Sequence, residues 1–376
     1  MVIMRLEADN LCGFHSFDID FSYPKKPVHS TIPDEHLSGF PNFRYKKVNI
    51  LMGTNASGKT SIGRILMAVF NFVKNQDSSL LSSLVGRKSR EATVYLDMVV
   101  NSPILHRIGM HLTPKENQTG NDDFVITVYH GMTPIHPRDN YETCKAALDQ
   151  MQPVFSSDYS DELEGLEEFG WYFSYPGERS RRLLSSPNGN GRYIDVLKNV
   201  LSSLDCSITD VIPVDGAKNT YLIYSTNQDD AIVLKDGALI ESDRSRLSSG
   251  TVHGIYIASM LTDIIEHRNG FYYCDEQFSY TASDIEKACL AVMTQKIGDN
   301  EQLIFTTHNS DVLDMGLPKH SFIFLRKSIG ENGADVTAVD ASYYLKKNTD
   351  SVKRAVENDL FSAAPDTSRI FSLEEI

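Results

Sequence analysis

No run of about 18 uninterrupted apolar residues occurs in the 376-residue chain, so no membrane-spanning helix is expected. The opening MVIMRLEADNL alternates like a strand and lacks the apolar core of a signal peptide. Cysteine is scarce. The five, Cys12, Cys144, Cys206, Cys274 and Cys289, are odd in number and form no C-x-x-C pair. That reads as thiols serving as small apolar residues in a reducing compartment, the cytoplasm. Positive charge is also short. Lys and Arg total 36 against 50 Asp and Glu, a formal net charge of −14. A general attraction to nucleic acid or to an anionic membrane needs a positive field and is not expected. Two local basic runs remain: Arg179, Arg181, Arg182 and Arg192 in GERSRRLLSSPNGNGRY, and Arg87, Lys88 and Arg90 in GRKSR. Without interleaved aromatics they read as solvated surface. No internal repeat and no sustained heptad run is present, so no long coiled-coil arm is expected.

What is there divides the chain into three parts. VIMRLEADNLCGFHSFDIDFS reads as two strands joined around residues 12 to 15, followed by a Pro-, Gly- and His-rich surface insertion. KVNILM is a short strand. Ile62, Ile65, Leu66, Val69 and Val73 then fall at helical spacing. Residues 92–130 alternate as an antiparallel meander. These elements make residues 1–130 the first part of an α/β domain. Residues 131–205 carry helical patterns (YETCKAALDQM, GRYIDVLKNVLSSL), an acidic stretch and the single tryptophan, and read as a mainly helical insert. Residues 206–376 hold more strands, then helix, strand, helix, strand from 248 onward, an alternation that implies parallel strands with crossover helices.

Four short motifs carry chemistry. In ILMGTNASGKTSIGRIL, Gly53, Gly58, Lys59 and Thr60 fit G-x-x-x-x-G-K-[ST] between a strand and a helix, the phosphate-binding loop. Backbone N–H groups of the loop, from Gly53 through Asn55, Ala56, Ser57 and Gly58 to Ser61, would converge on phosphate oxygens with the helix dipole behind them. Lys59 would bring a mobile charge to the β and γ phosphates, and Thr60 a hydroxyl to Mg²⁺. GFYYCDEQ is an apolar strand ending in Asp275, placed to hold Mg²⁺, and Glu276, placed to polarise a water attacking the γ phosphate. QLIFTTHNSD ends a strand at His308, which would reach the γ phosphate or that water. RLSSGTVHGIYIASML sets Ser248, Ser249 and Gly250 at the mouth of a helix. This is either a simple N-cap or a second phosphate-binding device lent by another subunit.

In that order, GTNASGKT, LSSGT, YYCDE and TTHNSD resemble the Walker A, signature, Walker B and switch-histidine motifs of ABC-type ATPases. The start, NLCGFHSFDIDFS with KKVNILMGTNASGKTS, is similar to the RecF/SMC-like branch. The nearest resemblance is to compact AAA ATPases allied to the OLD family, some of which are ATPase subunits of bacterial anti-phage systems such as PARIS and Septu. The tail YYLKKNTDSVKRAVENDLFSAAP is similar to the end of that group. The likeness spans residues 1–100 and 230–365 and omits the insert. It implies an ABC-type P-loop head with a mixed central sheet, an antiparallel β subdomain and a helical insert. It also implies a head-to-tail homodimer, or a higher homo-oligomer, with ATP and Mg²⁺ between subunits. Ser248, Ser249 and Gly250 of one copy would complete the site of the next, and Asn55 matches a loop position that carries asparagine in this branch.

No glutamine can be assigned to the loop that links the ATP site to the neighbouring lobe, and QFSYTASD replaces the usual wording after the Walker B strand. Too little chain follows His308 for the TOPRIM domain of OLD nucleases. Any nuclease or toxin activity is therefore expected in a separate effector protein that the ATP-gated dimer would control. The alternatives are a RecF-like DNA-binding repair ATPase and a slowly hydrolysing, ATP-dependent assembly scaffold.

Overall fold

The computed structural model describes residues 1–376 except 27–29, 116–122, 160–162, 164–165, 167, 177, 179–180, 183–190, 227, 331–332, 348, 363–367 and 376. Arg179 and part of the acidic stretch 156–169 lie outside the described residues.

Eighteen strands, numbered in chain order, form the described sheets. Strands β1 (Val2–Asp9) and β2 (Phe17–Asp20) pair with β6 (Ala92–Val99), β7 (Ile104–Pro114) and β8 (Phe124–Pro134) in an antiparallel sheet of order β2-β1-β6-β7-β8. The short hairpin β3 (His36–Leu37) and β4 (Phe40–Arg44) stands apart. The central sheet takes β5 (Val48–Gly53), β9 (Trp171–Ser174), β10 (Arg181–Arg182), β15 (Phe271–Asp275), β16 (Gln302–Thr306), β17 (Phe322–Gly330) and β18 (Gly333–Asp340). Its order is β10-β9-β15-β16-β5-β17-β18. The five middle strands are parallel, and the outer two are antiparallel to their neighbours. Strands β11 (Ile208–Pro213), β12 (Thr220–Ser225), β13 (Ile232–Lys235) and β14 (Ala238–Leu239) make a separate antiparallel sheet.

Every residue of β15 and β16 is buried, as expected of parallel strands covered on both faces. Alternate residues of β15 enter different cores. Phe271 and Tyr273 face the side shared with helix α1 (Lys59–Asn75) and the five-stranded sheet. Tyr272 and Cys274 face the opposite side, against helices of the later part of the chain. Along α1, Ile62, Leu66, Val69, Phe70 and Val73 form the apolar stripe. Phe70 is fully buried, and its ring meets Phe169, Trp171, Phe173 and Phe271 at centroid distances of 5.4–5.8 Å. The two sheets are clasped by Gln302, whose Oε1 accepts from Ile3 N at 2.8 Å while Nε2 donates to Ile3 O and Lys46 O, both at 3.1 Å.

Two expectations change. The stretch after β2 is more than a surface insertion: Ile32, Leu37, Phe43 and Tyr45 are buried, and the Glu35 carboxylate meets His320 Nε2 at 2.7 Å. Residues 131–205 are not simply a helical insert. After the short α2 (Ser79–Ser83), they hold α3 (Tyr141–Asp149) and α4 (Gly191–Leu204), but they also supply β9, which pairs in parallel with β15. Helical periodicity dominates the segment's sequence, while the four-residue run WYFS is too short to show its own period. Helix α4 lays Tyr193, Leu197 and Leu201 against the four-stranded sheet.

Phe70→Ala should remove the ring at which α1, β9 and β15 meet and destabilise the protein by about 3–5 kcal/mol in denaturant titration. A loss under about 1 kcal/mol would show that this junction is not a packed core.

Candidate functional site

Strands β5, β16 and β15 lie side by side in one direction, so their C-terminal ends open on one edge. The phosphate-type loop leaves β5 and turns into α1. Gly58, at the helix N-cap, has φ 106°, and a Cβ there would lie 2.6 Å from the Phe14 ring. Both the left-handed backbone and the close approach of Phe14 demand glycine. Ala56 also has a positive φ, 60°. Ser57 is buried, and its hydroxyl has no protein partner. Asn55 lies on the loop and Ser61 in the first turn of α1, so residues Gly53 to Ser61 run from the end of the strand through the loop into the helix.

Lys59 is 3% exposed, and its Nζ donates to Gly53 O at 2.9 Å and Thr54 O at 3.1 Å. The same Nζ stands 3.4 Å from Glu276 Oε1. Burial lowers the Lys59 pKa, and the neighbouring Glu276 opposes that shift. His308 joins the group from the end of β16: Nε2 meets Glu276 Oε1 at 2.7 Å, and Nδ1 meets Gly53 O at 3.1 Å. Thr60 Oγ1 donates to Asp275 Oδ2 at 2.7 Å, and Thr306 Oγ1 donates to Asp275 Oδ1 at 2.8 Å. Burial pushes the Asp275 carboxyl upward, against those two hydroxyl bonds. Glu276 has φ 45°, and its N–H is held by Thr306 O at 3.3 Å and Thr306 Oγ1 at 3.1 Å. A strained main chain thus aims the Glu276 carboxylate back across the strand ends toward Lys59 and His308.

The structure therefore brings together Lys59, Thr60, Asp275, Glu276 and His308, drawn from three motifs. It does not bring Ser248, Ser249 or Gly250 to them. Ser248 caps helix α5 (Ser249–Ile265), with its Oγ accepting from Thr251 N at 3.1 Å. Ser248 and Ser249 are exposed. A Cβ on Gly250 would lie 2.6 Å from Tyr280 O, which packs the turn against the segment that follows Glu276. Among the described residues, none of the three makes a hydrogen bond to residues 53–61.

Several contacts escape a sequence reading. Tyr273 Oη donates to Lys59 O at 2.5 Å from the apolar strand. Lys327 Nζ donates to Ala56 O at 3.2 Å. Beyond β15, the end of β9 presents Ser174 and Tyr175, and the Arg64 guanidinium lies 3.8 Å from the Tyr175 ring centroid and pairs with Glu178. Against the outer side of the phosphate-type loop lies a cavity of about 300 Å³ lined by Phe14, His15, Ala56, Ser61, Arg87 and Lys327 among others.

The Thr60 hydroxyl and Asp275 carboxylate are hard oxygen donors in contact, a pair suited to Mg²⁺. Among the described residues no group of three His, Cys, Asp and Glu side chains is placed to hold a metal ion. A Mg²⁺ ion here would complete its shell with phosphate oxygens and water. No described helix is long and apolar enough to cross a membrane.

No protein-family profile and no curated protein matches the sequence. Among solved structures, the chain is similar to an SMC head bound to the C-winged helix domain of ScpA, with TM-score 0.49 and 13% identity over 92% of this chain and 100% of that one. The SMC head domain from Thermotoga maritima gives TM-score 0.40 and 14% identity over 90% and 99%. An Smc head with an extended coiled coil bound to the C-terminal domain of ScpA, derived from Pyrococcus furiosus, gives 0.48 and 11% over 92% and 98%. The chemistry of the site rests on its own geometry and not on these likenesses.

Asp275 carries a carboxylate whose burial disfavours ionisation. Asp275→Asn should therefore leave the melting temperature of the nucleotide-free protein unchanged or raise it, while erasing any further rise that Mg²⁺ gives with nucleotide. A clear drop in melting temperature without nucleotide would show that the carboxylate is structural.

Proposed function

We propose that the chain is an ABC-type ATPase that closes as a head-to-tail dimer around Mg²⁺ and ATP. The observation that carries this reading is the meeting of Lys59, Glu276 and His308 around one carboxylate oxygen, Glu276 Oε1, with Nζ at 3.4 Å and Nε2 at 2.7 Å. The phosphate-type loop supplies backbone N–H groups to the phosphates. Lys59, now shared between loop carbonyls and Glu276, exchanges those partners for β and γ oxygens. Thr60 and Asp275 would hold Mg²⁺, which supplies positive charge beside the phosphates. Glu276 orients and polarises the attacking water, and His308 fixes the Glu276 carboxylate and stands beside the γ position. The cavity flanking Ala56 is of a size suited to the nucleoside end of ATP.

Ser248 and Ser249 are exposed at the mouth of α5, a helix of 17 residues. They offer N–H groups and hydroxyls to a γ phosphate held by another copy. Dimer closure and reopening would then be read by a separately encoded effector, as the resemblance to anti-phage ATPase subunits implies. The net charge of −14 gives no support to a DNA-binding repair role.

Glu276→Gln should cut ATP turnover by about 100-fold or more while leaving ATP bound and the dimer closed in light scattering. Turnover at the parental rate would remove Glu276 as the base. A mixing experiment tests the shared site. Lys59→Ala and Ser248→Arg should each be inactive alone. Their mixture should recover activity, because a mixed dimer holds one site with both parts intact. No recovery, with mixed dimers demonstrated, would confine the site to a single chain.

A further inference from the structure

Glu286 is buried on helix α6 (Ser283–Lys296), on the far side of His308 from the cluster just described. Its carboxylate accepts two hydrogen bonds, and both come from the residues flanking His308. Thr307 Oγ1 donates to Oε1 at 2.5 Å, and Asn309 Nδ2 donates to Oε2 at 2.7 Å. The clamp is cross-braced. Thr307 Oγ1 accepts from Asn309 N at 2.9 Å, and Asn309 Nδ2 also reaches Ser283 Oγ at 2.9 Å. Ser283 Oγ in turn donates to Asp311 Oδ2 at 2.6 Å. Burial raises the Glu286 pKa, and the bonds from Thr307 and Asn309 oppose that shift.

Thr307 to Asn309 is irregular chain beyond the end of β16, tied to β5 by one main-chain bond, Thr307 N to Leu51 O at 3.2 Å. Beyond that bond residues 308 and 309 have the freedom of a loop, and the contacts of the His308 ring with Gly53 O and Glu276 Oε1 depend on where that main chain sits. A carboxylate that grips the preceding hydroxyl and the following carboxamide at once removes that freedom. We infer that Glu286 is a positioning residue for His308, holding the 307–309 backbone so that the imidazole meets Glu276. The inference rests on the hydrolysis reading for its kinetic consequence, though not for its geometry. A displacement of α6 would move His308 away from Glu276.

Glu286→Gln tests this. A carboxamide has one acceptor oxygen, so it can serve Thr307 but turns an N–H₂ group toward Asn309. In the parental background kcat should fall about tenfold with KM for ATP changed less than about twofold, the pattern of an interaction made in the transition state. In a His308→Ala background the same substitution should change kcat by less than about twofold, because the residue it positions is gone. Thr307→Ser should keep parental kcat, and Thr307→Val should mimic Glu286→Gln. Histidine ¹H–¹³C NMR gives a readout that needs no turnover: the His308 ring signals should move in Glu286→Gln at a temperature where the variant is fully folded. Equal losses of kcat in both backgrounds, or unmoved His308 signals, would overturn the inference. A parental protein that neither binds nor hydrolyses ATP would instead overturn the hydrolysis reading and leave the NMR result to decide the positioning.

Discussion

The site depends on three strands ending together. β5, β16 and β15 are neighbours in one parallel sheet, and each delivers a different function where the ladder stops. β5 releases a glycine-rich turn, β16 leads into His308, and β15 yields to Asp275 and Glu276. Parallel pairing Asp275↔Thr306 and Thr306↔Leu51 sets the ends of β15 and β16 level, with β5 running on past Leu51 to Gly53. Buried hydroxyls then do the fine adjustment. Thr306 alone holds both Asp275 Oδ1 and the Glu276 N–H. A one-residue slip of β16 would turn Thr306 away from both and carry His308 out of reach of Glu276.

Charge in this site is concentrated and paid for by contact. Lys59 is buried yet meets two carbonyls and a carboxylate, and Asp275 is buried yet meets two hydroxyls. Both groups are pushed toward their neutral forms by burial. Groups held this way respond strongly when an ion or a polyanion supplies the missing opposite charge. The arrangement is costly for stability and useful for chemistry. It contrasts with the Phe70 junction on the same helix, where only packing matters.

Much of this was legible in the sequence, for local reasons. The glycine-rich turn, the acidic pair after an apolar strand and the histidine after another are each short motifs with their own spacing. Their convergence follows once the strands are parallel neighbours. The alternation of helix and strand after residue 248 announced that arrangement. The meander over 92–130 was equally plain from its period of two. What stayed hidden was non-local. The strand Trp171–Ser174 is four residues inside a helical and acidic stretch, and only its pairing with β15 reveals it. Phe14 beneath Gly58, Tyr273 on Lys59 O and Glu286 behind His308 are contacts across distant sequence, and no spacing rule marks them. Ser248 shows the converse: its motif suggested a phosphate device, and within one chain it is an ordinary helix cap.

The placement of β9 has a consequence for assembly during synthesis. The central sheet alternates between early and late parts of the chain, with residue 48 beside 303 and residue 171 beside 271. A nascent polypeptide that has already exposed its complete glycine-rich turn and first long helix, which ends at Asn75, must wait until Gln302 before β16 arrives to separate β5 from β15. Until then that helix has the antiparallel sheet on one flank but no finished central sheet on the other. Such sequence-distant pairing slows folding and lengthens the interval in which sticky surface is open to other chains.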